Sequence, residues 1–344
     1  MTPTSTVLSV EEFPRASLLP PEWDAECGTF LRRTGMLSHY EKFNPCRQRY
    51  YCLFRNREPV AGAIVYSHRQ NLLTFLGNIH SPLTMNVVGL PASISPPGIW
   101  GEPFDAALLL DAIFQRERGM TLVLNLPVPF PVTRAHRCRL LPGMIFINRF
   151  RSVAEYTQEL RAPWRRRIKA TQKKFDGVRT VRETCAAFTE KHHALYLDVL
   201  KRAPEKMETL GFEFFRELPP PIELVSCYRG LDLLCWRLVL AEHGRLLFLL
   251  GGHDYSLNGR YDAYFNNLLG VLEDGITQGA LRIDLGQTAE DPKARLGAQP
   301  LSEQMLLYHS NPIWGRLVGL AAPLLAYRKT LPTYHVFKEG RAGS

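Results

Sequence analysis

The stretch that decides the fold runs from Tyr261 to Pro300, YDAYFNNLLGVLEDGITQGALRIDLGQTAEDPKARLGAQP. Tyr261, Phe265, Leu268, Leu269, Leu272 and Ile276 recur at helical spacing, which predicts an amphipathic helix with Tyr261 at its head. Gly279 can take a positive φ without steric cost and is expected to end that helix. Leu281, Ile283 and Leu285 alternate with Arg282 and Asp284, the period of a strand with an apolar side. Gly286 breaks the strand, and Lys293, Arg295 and Gly297 follow in a polar loop. The unit thus delivers a carboxylate, an amide and a lysine to one strand end, where α/β sheets commonly bind ligands.

Upstream, three strands Ile222–Tyr228, Leu233–Ala241 and Leu246–Gly252 read as an antiparallel meander, with His243-Gly244 at one turn. Helices are expected over 187–202 and 212–218. The first half carries the same order of elements. YYCLFR, a turn over NREPVAG, AIVYS and LLTFL (72–76) read as strands, and a Pro- and Gly-rich loop covers 91–101. A helix follows over 104–118, then a strand over 120–126 that Pro127, Pro129 and Pro131 end. MIFINRF (144–150) reads as a further strand, and residues 1–30 as a leader with a short helix. Meander, helix and strand therefore occur twice, near 50–126 and near 222–285, without a close repeat of sequence. The expected fold class is α/β with mixed α+β sheets. The expected division is 1–150, a basic connecting helix over 151–182, and 183–344 with the site.

The order helix, D-x-G strand and K-x-x-x-G loop resembles the C-terminal signature of Fem-type peptidyltransferases of the GNAT superfamily. The matching residues are Tyr261, Asp284-Leu285-Gly286 and Lys293-Ala294-Arg295-Leu296-Gly297. The resemblance implies two GNAT-like domains in tandem, each a mostly antiparallel meander continued by helix and strand. It also implies an acyltransferase or aminoacyltransferase that forms an amide, with no metal and no tightly bound cofactor. Asp284 would orient or deprotonate the incoming amine, and Lys293 would stabilise the oxyanion. Gln287 and Asn267 would hold donor or acceptor groups by hydrogen bonds, beside Tyr261. His253 and Tyr255, after the last meander strand, form a second candidate cluster, although His253-Asp254 also fits a plain Asx turn.

The 42 basic and 33 acidic residues give a formal charge of +9, and its placement is uneven. Between Arg161 and Arg182 nine basic residues face one acid, Asp176, so that window alone carries +8. SVAEYTQELRAPWRRRIKATQKK opens with Ser152 as N-cap and Glu155 three residues on, a capping box, and a second helix is expected near Pro163. Trp164, Ile168 and the alkyl parts of Lys169 and Gln172 are expected to pack inward. The helix resembles the Fem-type RR-x-IK connecting helix at Arg166-Arg167-Ile168-Lys169 and Lys173. Arg165, Arg166, Arg167, Lys169 and Lys173 would bind the phosphates of tRNA or coenzyme A, and Trp164 would stack a base. A solvated basic connector, or a non-catalytic nucleic-acid-binding surface, is the competing reading.

No Walker loop, dinucleotide fingerprint, HExxH helix or GxSxG elbow occurs, which removes the usual support for ATPase, dehydrogenase, zincin and serine hydrolase readings. DYSLNGRY (254–261) also departs from the glycine-rich pyrophosphate loop of acetyl-coenzyme A enzymes, keeping only Gly259. Aminoacyl-tRNA is therefore the favoured donor and an acyl-coenzyme A thioester the alternative. The acceptor is an amine on a small metabolite or a peptidoglycan precursor. The seven cysteines lack CxxC spacing and sit in apolar contexts, as reduced, buried thiols do. No apolar run reaches the ~20 residues of a membrane span, and no basic, apolar leader opens the chain. Integral membrane association is thus not expected, and cytoplasm is the expected location.

Overall fold

The computed structural model describes residues 7–71, 82–92, 94–132, 134–203, 208–331 and 333–338. The expected LLTFL strand lies outside them. In chain order the first elements are β1 (Leu8–Phe13), α1 (Trp23–Glu26), α2 (Thr34–Phe43), β2 (Arg49–Arg55), β3 (Glu58–Asn71), β4 (Pro82–Val88), β5 (Ile99–Gly101), α3 (Pro103–Arg116), β6 (Met120–Pro127) and β7 (His136–Arg139). Then come β8 (Gly143–Ile147), α4 (Val153–Glu159), α5 (Ala162–Lys174), β9 (Arg179–Thr184), α6 (Glu190–Arg202) and α7 (Phe212–Arg216). The meander β10 (Glu223–Arg229), β11 (Asp232–Glu242) and β12 (Arg245–His253) leads to α8 (Tyr255–Tyr261), α9 (Ala263–Thr277) and β13 (Arg282–Asp284). The chain ends with α10 (Glu290–Ala294), β14 (Gln299–Leu301), β15 (Glu303–His309) and α11 (Pro312–Leu325).

These elements form two compact units. The first is Met1–Leu141 with Ser302–Arg328, and the second is Pro142–Leu301 with Lys329–Ser344. The division expected at 150 and 182 is corrected on both counts. Gly143–Ile147 is a strand of the second unit, and α5 packs into that unit's core through Ile168 and Trp164. Residues 302–328 return to the first. The cause is strand pairing, because β15 finds its partners in β6 and β7, and β8 finds its own in β13 and β14.

The sheet of the first unit runs β1-β2-β3-β4-β6-β15-β7, with β5 also on β3. That of the second runs β9-β10-β11-β12-β13-β8-β14. Both are antiparallel except for one parallel pair, β4 with β6 and β12 with β13. The helix between each parallel pair, α3 or α9, covers the sheet and supplies the core. In the first unit Leu109, Leu110, Ile113 and Phe114 meet Ala63, Val65 and Val123. In the second Phe265, Leu268, Leu272 and Ile276 meet Val239, Leu246 and Ile283. The repeat of meander, helix and strand is therefore present as the sequence suggested.

Several local expectations change. Residues 8–13 are not leader but an edge strand, hidden by its mostly exposed side chains. The β2–β3 turn is only Asn56-Arg57, both at positive φ, so Glu58 to Gly62 already belong to β3. Such two-residue turns match the strand twist, and His243-Gly244 makes the same kind of turn between β11 and β12. Tyr261 does not head the long helix. Asp262, at φ 51°, separates it as the last residue of α8, and α9 starts at Ala263.

Candidate active site

Gly275 and Gly279 place the strand that carries Asp284. Gly279, at φ 69°, donates to the Ile276 carbonyl while Ala280 donates to Gly275, a Schellman closure that turns the chain into β13. A Cβ at Gly275 would lie 2.4 Å from Ile283 Cδ1, so α9 sits directly on β13. Ile283 and Leu285 are fully buried as expected, whereas Leu281 is exposed because the strand begins only at Arg282.

Between β12 and β13 the parallel ladder has three rungs and ends at Leu247 opposite Asp284. β12 continues six residues further, to His253, paired there with β11. The sheet thus forks at Asp284, and the Phe248–His253 edge of β12 runs past the end of β13. A strand edge left open next to a carboxylate is suited to gripping an extended amide or acyl chain.

The half-buried Asp284 carboxylate accepts the Gly286 N–H at 2.8 Å through Oδ1. Burial raises its pKa, and the Gly286 bond and the charges of Arg282, Lys293 and Arg245 oppose that rise. Lys293, only 2% exposed, donates from Nζ to the carbonyls of Gly286 at 3.0 Å and Gln287 at 2.6 Å. Burial pushes its pKa down to about 7, against the pull of Asp284 and Glu290. A neutral amine has two N–H donors, which match the two carbonyls. The structure brings Asp284, Gln287 and Lys293 to one turn, Gln287 through its backbone carbonyl. Lys293, however, braces the Gly286-Gln287 backbone instead of projecting into open space.

At the far end of β12, His253 is buried between Tyr255 and Tyr264, with ring centroids 4.1 and 5.0 Å away. Burial, then the Arg202 charge, lowers its pKa to about 4, so the imidazole is neutral. Arg202 lies 4.0 Å over the Tyr255 ring. Neither Arg202 nor Tyr264 was singled out by sequence reasoning; their only signal is the last turn of α6 and the first turn of α9. Asp254 caps α8 through Ser256 and Leu257, the Asx turn that competed with a catalytic reading.

Asn267 and Tyr261 lie elsewhere. The buried Asn267 amide accepts from Arg237 at 3.2 Å and donates to the Trp236 carbonyl at 3.0 Å, which joins α9 to β11. Arg237 also bonds Asp274 at 2.8 Å, and Arg182 meets the same carboxylate at 2.8 Å. Tyr261 packs beside Cys227, Leu234 and Cys235, with Arg260 over its ring.

The basic window splits into α4 and α5. Ser152 caps α4 as expected, but Glu155 accepts from Arg151 N–H, one residue before the cap itself. In α5, Ile168 and Thr171 are buried, and Gln172 bonds Glu273 at 3.0 Å. Lys169 is exposed, contrary to the inward packing expected of its stem, because the inward stripe falls on 164, 168, 171 and 175. Arg166, Arg167, Lys169, Lys173 and Lys174 are all exposed, and Arg165 is partly so. Trp164 is held on one side, donating to the His335 carbonyl at 3.2 Å and lying edge-on to Tyr334.

Among the described residues no His, Cys, Asp and Glu cluster could hold a metal ion, and no helix is long and apolar enough to cross a membrane. All seven cysteines are free, and all but the half-buried Cys46 are buried. A shallow depression of about 310 Å³, lined by Ser9, Glu11, Phe13 and Arg57 among others, belongs to the first unit and includes none of these site residues.

No protein-family model and no curated protein matches the chain by sequence. Solved structures do match by fold. FemX is similar over 90% of this chain and 100% of its own, at 12% identity and a TM-score of 0.57. A tandem GNAT protein from the clavulanic acid biosynthesis pathway, solved without AcCoA, covers 89% of this chain and 99% of its own, at 9% identity and a TM-score of 0.50. The chain has the tandem GNAT fold that the sequence resemblance implied.

Proposed function

We propose that the β12–β13 fork is an acyl-transfer site that passes an aminoacyl group from tRNA to an amine. The observation that carries this reading is Asp284 at the apex of the fork, with a raised pKa and a backbone anchor. A neutral amine attacks the donor carbonyl carbon, forming the C–N bond. Asp284 takes the amine proton and returns one to the departing ribose oxygen as the ester C–O bond breaks. Lys293 is a positioning residue that holds the Gly286-Gln287 turn beside Asp284. An acceptor carried on a peptidoglycan precursor or a small metabolite meets the same chemistry.

The exposed cations of α5 support tRNA, because solvent-facing arginines and lysines suit a phosphate backbone. Residues 254–261 form an Asp-capped helix where a coenzyme A enzyme of this superfamily would carry its glycine-rich loop. The second reading, an acyl-coenzyme A donor on the same carboxylate, is favoured by the likeness to the clavulanic acid pathway protein. Incubation with a pool of charged tRNAs, a pool of acyl-coenzyme A thioesters and an amine library separates the two. Consumption of charged tRNA with amide formation is expected. Consumption of thioester alone reverses the donor, and consumption of neither removes the transferase reading.

A further inference from the structure

We propose that α11 docks the protein on the surface of a bilayer that contains anionic phospholipid. Ile313, Leu317, Leu320 and Leu324 are 69%, 49%, 77% and 75% exposed. At 3.6 residues per turn they fall within an arc of about 60°, and Trp314, 59% exposed, flanks them. The opposite side of the helix is already used. Ala322 is buried, its carbonyl accepts from Cys138 Sγ at 3.2 Å, and Val318 and Leu325 pack against Cys138, Met305 and Leu307. A helix that is apolar on both sides and covered by its own unit on one of them has surface to bury elsewhere.

Charge selects the occupant. Residues 304–338 contain no Asp or Glu, while Arg316 and Arg328 belong to or follow the helix. On the strands in contact with α11 the one carboxylate, Glu303, is buried, and Arg139 lies over the ring of Tyr327 just past the helix. Two copies meeting through this face would bring like charges together with no carboxylate to neutralise them. A bilayer satisfies both features at once. The leucines enter the acyl boundary, Trp314 sits at headgroup level, and the arginines meet lipid phosphates.

Sedimentation of the full chain with vesicles tests this without any donor or acceptor, so its outcome is independent of the transferase reading. Binding to mixed phosphatidylglycerol–phosphatidylcholine vesicles is expected, weaker with phosphatidylcholine alone and weaker in high salt. Leu320→Ser with Leu324→Ser, both exposed, should leave the melting temperature unchanged and reduce binding by at least about tenfold. Arg316→Glu should weaken binding to the mixed vesicles only. Absence of sedimentation with either vesicle, or equal binding by the leucine variant, overturns the proposal. So does a wild-type dimer that the leucine variant converts to monomer without vesicle binding.

Discussion

Asp284 and Lys293 hold the two backbone polar groups of one residue: the carboxylate accepts the N–H of Gly286, and the amine donates to its carbonyl. A change at either side chain is therefore transmitted to the other through a backbone that neither can leave without exposing an unpaired group.

Asp284→Asn tests the proton-transfer role with little disturbance of that link, since the amide oxygen still accepts from Gly286. Loss of the base should lower kcat by about 10²–10⁴-fold with KM little changed. Steady-state kinetics on the donor found above give the split, and an effect confined to KM would assign Asp284 to binding.

Lys293 gives a signed dependence of stability on pH. Its folded pKa, about 7, lies below the unfolded value of 10.5, so the unfolded chain binds more protons between those limits. Its contribution to stability is lowest below pH 7 and rises with pH through this window, by up to about 1.4 kcal/mol per unit. Lys293→Met removes that slope. Urea melts of both proteins at pH 7 and pH 9 should show the wild type gaining on the variant; a constant difference would mean that the lysine is not desolvated.

Acid destabilisation should come in part from two buried imidazoles. Burial lowers His192 to about 4, and burial with Arg202 lowers His253 to about 4. Each must gain a proton on unfolding, so its stability contribution is complete above pH 6.5 and is lost as pH falls from 6.5 to 4. His192 Nδ1 bonds Thr189 at 2.7 Å and Nε2 bonds Ser226 at 2.9 Å. His192→Gln keeps polar groups there without a proton to gain, and should flatten the curve of melting temperature against pH across this range.

The α5 surface predicts a salt signature. Replacing Arg166, Lys169 and Lys173 by Ala should weaken binding of charged tRNA and reduce the slope of log affinity against log salt by about 0.7–0.9 for each phosphate no longer neutralised. The melting temperature should hardly move, because all three are exposed. An unchanged slope would return α5 to the role of a solvated surface.

Much of the fold and of the site is legible in the sequence, because α9 and the β10–β12 meander bury one face and so carry a clear period. The carboxylate and the lysine at the strand end are legible for the same reason, as Gly279 and Gly286 bracket the strand. Three things are not. β1 exposes most of its side chains and leaves no period to read. Asn267 looks like a site amide, and only its partners Arg237 and Trp236, distant in sequence, assign it to packing. The destination of β8 and β15 depends on pairing with strands more than 130 residues away, which local patterning does not encode.

That exchange of strands bears on how the protein must be made. The N-terminal sheet lacks the strand between β6 and β7 until residue 309 has been synthesised, and β8 has no partner until β13 arrives. During translation, two incomplete sheet edges therefore wait on the nascent chain, the situation in which chaperone capture and misassembly compete with folding. A fragment cut near residue 150 would keep the sequence of one half and the finished sheet of neither.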